Sequence, residues 1–151
     1  MSALQVDITR RVQTWSPSAA SIRSWAGAAL GRRAAGREIA VRVVGPRESR
    51  KLNARYRRRD QPTNVLSFPA TALPEVFPSP LGDLVICPQV LQREALEQGK
   101  SLRAHWAHLV VHGALHLIGY DHERATDARR MERREIAVLR RLGFNNPYKN
   151  N

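Results

Sequence analysis

A single cysteine, Cys87, is too few for an intrachain disulfide framework or a multi-cysteine zinc site. Lysine is nearly as scarce. Lys51, Lys100 and Lys149 are the only three among 25 basic residues, so the other 22 are arginine. Acidic residues number 13, which leaves a formal net charge of +12. No stretch approaches the roughly 18 apolar residues of a membrane span. The stretch MSALQVDITRRVQTW has no apolar run of signal-peptide length. Hydrophobic residues make up 42%, too many for a disordered tail. These absences leave a soluble, cytoplasmic protein, with residues 1–151 as one domain large enough to bury a core unaided.

What is abundant is positive charge. A domain this basic usually meets a polyanion, either nucleic acid or, less often, a membrane surface. Arginine richness can also reflect codon bias, and the sum alone does not separate the two.

Hydrophobic periodicity orders the chain. Residues 3–10 alternate as a half-buried strand does, and Ser16-Pro17-Ser18 is a turn. Residues 18–35 carry Ile22, Trp25, Ala26, Ala29 and Leu30 at helical spacing, with Gly36 as the stop. Residues 38–44 read as a second strand closed by Gly45-Pro46. Residues 47–58 read as a basic helix with Leu52 and Tyr56 on its apolar side. A short strand at 63–68 precedes a proline-rich loop from Pro69 to Pro80, and 81–87 is a further strand. Pro88 suits the first turn of a helix over 89–98. Ser101 is a candidate N-cap for a helix over 102–118 that is apolar nearly all round at its C-terminal half. Gly119 ends it. A last amphipathic helix covers 125–142, with Met131, Ile136, Leu139 and Leu142 inward. Strands and helices around one small sheet make the class α+β or mixed α/β.

Four of the five histidines lie in the apolar helix and the fifth follows it. At about 100° per residue, His112 and His116 fall about 40° apart, one turn above the other. Two imidazoles so placed can chelate one metal ion. Gly119 can turn the chain out of the helix and bring His122 in as a third ligand. The string HGALHLIGYDH has the spacing of the metzincin motif H-E-x-x-H-x-x-G-x-x-H. Three neutral imidazoles plus a water make a catalytic-type zinc site. Metzincins carry a glutamate base directly after the first histidine, whereas here that residue is Gly113, so a metzincin-like hydrolase loses its proton acceptor. His105 and His108 are either groove-lining or supporting groups, or plain hydrogen-bonded helix histidines. Asp121 and Glu123 either orient an imidazole or are surface acids. Met131 lies either under the metal or in the core.

The histidine string resembles the signature of the bacterial YbeY family. LNARYRRRDQPTNVLSFP at 52–69 and LGDLVIC at 81–87 resemble two further blocks of that family. The resemblance implies a small mixed β-sheet of about four strands, flanked by about five helices, with the metal helix central. It implies one Zn2+ held by His112, His116 and His122 with a water, and a catalytic arginine that maps to Arg57. It implies a single-strand-specific endoribonuclease acting in 16S rRNA 3′-end maturation and ribosome quality control, with the ribosome or its proteins as partners. A noncatalytic zinc-stabilised ribosome-assembly factor is the alternative. A guanidinium at Arg57 can meet two nonbridging phosphate oxygens at once, which a lysine cannot. Arg47, Arg50, Lys51, Arg55, Arg58 and Arg59 are candidate RNA contacts. The arginines of the last helix are a candidate docking surface for rRNA or a ribosomal protein.

Overall fold

A computed structural model describes residues 3–70 and 78–149. It contains a four-stranded sheet and five α-helices. The strands are β1 (Gln5–Arg10), β2 (Arg37–Val43), β3 (Val65–Pro69) and β4 (Ser79–Ile86). Their order is β1-β2-β4-β3, with the first two pairings parallel and β3 antiparallel to β4. The helices are α1 (Ala19–Leu30), α2 (Pro46–Arg57), α3 (Pro88–Gln98), α4 (Leu102–Leu117) and α5 (Ala125–Arg141). A short 3-10 turn, Gly31–Ala34, extends α1. The fold is α+β, with the expected numbers of strands and helices.

The period-2 pattern decides which face of the sheet is the core. In β2, Ile39, Val41 and Val43 are buried on one face, while Ala40 and Arg42 between them are half-buried. Leu84 and Ile86 of β4 join that face. Against it lie Ile22, Trp25 and Ala29 of α1, Val110, Ala114 and Leu115 of α4, and Met131 and Leu139 of α5. On the other face Val44, Leu66 and Val85 form a small second cluster, covered by Leu52 of α2 and by Phe68.

Helix α4 is apolar nearly all round because it is surrounded. It packs on α1, α3, α5 and the sheet, and ten of its sixteen residues are buried. Its start is fixed by Ser101, whose Oγ accepts the Ala104 N–H at 3.1 Å. Its end is fixed by Gly119 at φ +100°, a conformation that side-chain-bearing residues rarely adopt.

Three expectations need correction. The 81–87 strand begins two residues earlier, because Ser79 and Pro80 pair with Arg37 and Glu38 beside a bulge. A proline can enter there because a bulge relaxes the ladder. Most of the expected 69–80 loop lies outside the described residues. In α5 Glu135, rather than Ile136, joins Met131 and Leu139 among the fully buried residues. Glu135 is 1% exposed, while Ile136 is half-buried. Tyr56 is half-exposed and leans edge-on against Phe68 at 5.2 Å, outside the core.

Candidate active site

The last two turns of α4 and the bend after it bring His112, His116 and His122 together, with one nitrogen from each within 4.8 Å of the others. His112 and His116 are half-buried and His122 is exposed. The hydrogen bonds assign the protons. The His116 Nδ1–H donates to the Tyr120 carbonyl at 2.9 Å, because a carbonyl oxygen can only accept. The Nδ1–H of His112 donates to Glu135 Oε2 at 3.3 Å. In neutral rings both Nε2 atoms therefore carry lone pairs, and these face each other at 3.1 Å. Two lone pairs at that distance repel, so either a proton or a metal ion lies between them. Zinc–nitrogen bonds of about 2.0–2.1 Å put tetrahedral ligand atoms about 3.3 Å apart, so the pair fits such an ion. Burial, and then the neighbouring His112, push the His116 imidazole below its ordinary pKa and keep it neutral.

The carboxylate that reaches an imidazole is Glu135, which carried no spacing signal of its own. Its Oε1 accepts His108 Nε2 at 2.6 Å and the Tyr148 hydroxyl at 2.8 Å. Burial pushes this carboxyl up, but the hydrogen bonds and charges of His108 and His112 outweigh it and bring it down to about 2. Asp121 instead accepts the backbone N–H groups of His122 and Glu123, at 2.6 and 3.2 Å. It shapes the bend. Met131 is packed in the core.

His108, His112 and Glu135 also converge closely enough to suggest a second ion. The distances argue otherwise. At 2.6 Å, His108 Nε2 and Glu135 Oε1 are at hydrogen-bond length, shorter than two ligands of one ion would stand. His105 has a separate partner, Glu94 at 2.9 Å, and Asn64 reaches the same carboxylate at 3.2 Å. Asn64 thus ties the start of β3 to α3 and α4. A cavity of about 1310 Å³ runs from His112 along His108 and His105 to Lys100, Asn145 and Tyr148.

Arg57 ends α2. Its Nη2 donates to the Ser67 carbonyl at 3.0 Å, and its guanidinium lies over Phe68 at 5.5 Å. Ser67 Oγ in turn donates to the Gly113 carbonyl at 3.3 Å. Arg57 is thereby connected through one residue of β3 to the carbonyl of Gly113, the residue after His112. Gly113 has little room for a side chain. A Cβ there would lie 2.8 Å from Leu84 Cδ2 and 3.3 Å from Ser67 Oγ. A side chain at this position, such as the glutamate that a metzincin carries, would have to displace the buried Leu84 side chain.

The candidate RNA contacts Arg47, Arg50, Lys51, Arg55, Arg58 and Arg59 are all exposed. Arg50 already forks onto Asp60, at 2.7 and 3.0 Å. Arg55 lies over the Tyr56 ring at 5.3 Å. Arg58 caps α2 in the left-handed conformation, at φ 58°. Among the described residues no helix is long and apolar enough to cross a membrane.

The family model described as Endoribonuclease YbeY matches residues 7–143. A Pseudomonas putida protein named Endoribonuclease YbeY is 50% identical over 146 residues, covering 96% of this chain and 93% of its own. One from Methylococcus capsulatus with the same name is 53% identical over 147 residues, covering 95% and 96%. The fold also matches a solution structure from Thermotoga maritima. It has a TM-score of 0.58 and 21% identity, with 97% of each chain covered. The matched segment contains the histidine string, the Arg57 block and all of the sheet but Gln5 and Val6, and this chain belongs to the endoribonuclease YbeY family.

Proposed function

We propose that this chain, as one domain over residues 1–151, is a zinc-dependent endoribonuclease. Its substrate is single-stranded RNA, it acts in 16S rRNA 3′-end maturation and ribosome quality control, and it works in the cytoplasm. The observation that carries the metal reading is the convergence of one nitrogen from each of His112, His116 and His122 within 4.8 Å, with the Nε2 atoms of His112 and His116 at 3.1 Å. Imidazole donors suit zinc, and three of them leave a coordination position open for chemistry. A bound zinc would supply Lewis-acid polarisation of a phosphoryl oxygen.

The chain's own residues do the rest. Arg57 is the catalytic arginine, and its fork meets the charge that builds on the nonbridging oxygens of the scissile phosphate. The Ser67 carbonyl and the Phe68 ring fix its direction. Arg47, Lys51, Arg55, Arg58 and Arg59 track the flanking phosphates, with Arg50 contributing less because Asp60 neutralises it. The test is cleavage of single-stranded 16S precursor RNA by purified protein, with R57A and H116A alongside and metal content measured for each. Cleavage lost in both variants, with zinc lost only in H116A, supports the reading. Equal cleavage in all three proteins overturns it.

A further inference from the structure

The C-terminal segment reaches back to the metal centre. After α5, Phe144 packs edge-on against Trp25 at 6.0 Å, and its N–H is held by the Leu139 carbonyl at 2.8 Å. Lys100 Nζ donates to the Pro147 carbonyl. The Tyr148 N–H is held by Asn146 Oδ1 at 2.9 Å. The result is that the Tyr148 hydroxyl arrives on Glu135 Oε1 at 2.8 Å, beside His108.

Glu135 therefore accepts from three donors with two oxygens: His108 and Tyr148 on Oε1, His112 on Oε2. It is 1% exposed, so these protein donors take the place of bulk water. A buried carboxylate is costly to keep unless its partners are fixed. Here the partners on Oε1 hold the carboxylate still. That leaves Oε2 as a stationary acceptor for the Nδ1–H of His112. With its proton on Nδ1, His112 presents the Nε2 lone pair toward His116 and His122.

We propose that Glu135 is a positioning residue of the metal centre. It holds His112 in its metal-ready tautomer, and Tyr148 is the outer prop that makes the C-terminal segment part of that centre. The proposal rests on the metal-site reading above and adds two residues to it. A glutamine at 135 keeps the shape but has one acceptor oxygen and a donating NH2. Turned toward His112, the NH2 demands a bare Nδ1 and drives the proton to Nε2, where it blocks the metal. Turned toward Oε1's place, it meets two donors.

Zinc affinity by chelator competition, and the His112 tautomer by 15N NMR on metal-free protein, test this. E135Q should weaken zinc about 10–100-fold and shift His112 toward the Nε2–H form. Y148F should weaken zinc by less and broaden the tautomer mixture. Val138→Ala, which thins the core on the same helix without touching Glu135, should lower stability and leave both readouts unchanged. Wild-type tautomer and zinc affinity in both E135Q and Y148F overturn the proposal. So does V138A weakening zinc as much as Y148F, a comparison that decides the matter even where E135Q does not fold. Wild-type protein that binds no zinc overturns the metal reading instead, and the tautomer readout still decides on Glu135.

Discussion

Replacing Gly113 with alanine asks whether the sheet excludes a side chain there. Alanine is the better helix former by about 0.8–1.0 kcal/mol, so propensity alone predicts stabilisation. Against this, the new Cβ would stand 2.8 Å from Leu84 Cδ2, and Leu84 is completely buried. Overpacking a tight core costs about 1–3 kcal/mol. G113A should come out at between zero and about 2 kcal/mol less stable. Gly27 supplies a matched control. It sits inside α1, and a Cβ added there would meet nothing within 4 Å, so G27A should gain the propensity term alone. Urea titration and thermal melts of both variants isolate the clash as their difference, about 1–3 kcal/mol. At about 2–4 °C per kcal/mol that difference is easily read. Trimming Leu84 to valine should recover part of it in the double variant, since residues in contact couple. If G113A stabilises as much as G27A, the contact with Leu84 is not limiting and the sheet does not exclude a side chain at this position.

Three further outcomes follow from the site. R57A should lower single-turnover RNA cleavage by about 10²–10³-fold with zinc content unchanged, and R57K should stay well below wild type because it loses the fork; wild-type activity in R57K would remove Arg57 from phosphate recognition. Arg58→Gly relieves a left-handed arginine, which offsets the entropy that glycine adds to the unfolded chain, so stability should change by less than about 1 kcal/mol; the salt slope of single-stranded RNA binding should fall by about 0.7, and an unchanged slope would take Arg58 off the RNA surface. Metal-free protein should lose stability in acid in two stages. Burial holds His108 below its ordinary range, so protonating it costs folding free energy as pH falls below about 6.5. Glu135, ordinary at 4.5 and at about 2 when folded, stabilises fully above its ordinary range and loses roughly 3 kcal/mol as pH falls toward 2. Melts from pH 7 to 2.5 should show the second stage in wild type, and a pH-independent E135Q–wild-type difference over that stage would refute it.

Most of the architecture was legible because it rests on local rules. Period-2 alternation placed β1, short apolar runs between turn residues placed the other strands, and Gly119, Ser101 and Pro88 marked helix ends for reasons that act within a few residues. The His112–His116 pair was legible for the same cause, since an i,i+4 spacing is a statement about one helix face. Glu135 was not. A glutamate among arginines on an amphipathic helix reads as solvent-facing, and the partners that make it a buried acceptor lie 23 and 27 positions upstream and 13 downstream. Only its place on the apolar stripe of α5 hinted at it, because Glu135 lies one turn after the buried Met131 and just before Val138 and Leu139. The expected acids Asp121 and Glu123 were chosen for nearness in sequence, and the bend uses Asp121 for backbone N–H groups instead.

Gly113 sharpens what the histidine spacing can mean. The same string of ligands serves peptide hydrolysis when the residue after the first histidine can hold a carboxylate beside the ion. On α4 that residue lies about 100° round from His112, where Leu84 of β4 fills the space. A carboxylate at this position would therefore press on Leu84, because α4 is seated flat on the sheet. That seating also brings Ser67 of β3 onto the Gly113 carbonyl, and Ser67 is the residue whose own carbonyl aims Arg57. One packing region therefore crowds the position after His112 and connects Arg57 through Ser67 to the histidine-bearing helix. A peptide offers that guanidinium little, whereas a phosphodiester offers two nonbridging oxygens to its fork, and RNA adds a 2′-hydroxyl of its own. Under the proposed function, the way α4 meets β3 and β4 favours a phosphodiester over a peptide before any surface arginine is considered.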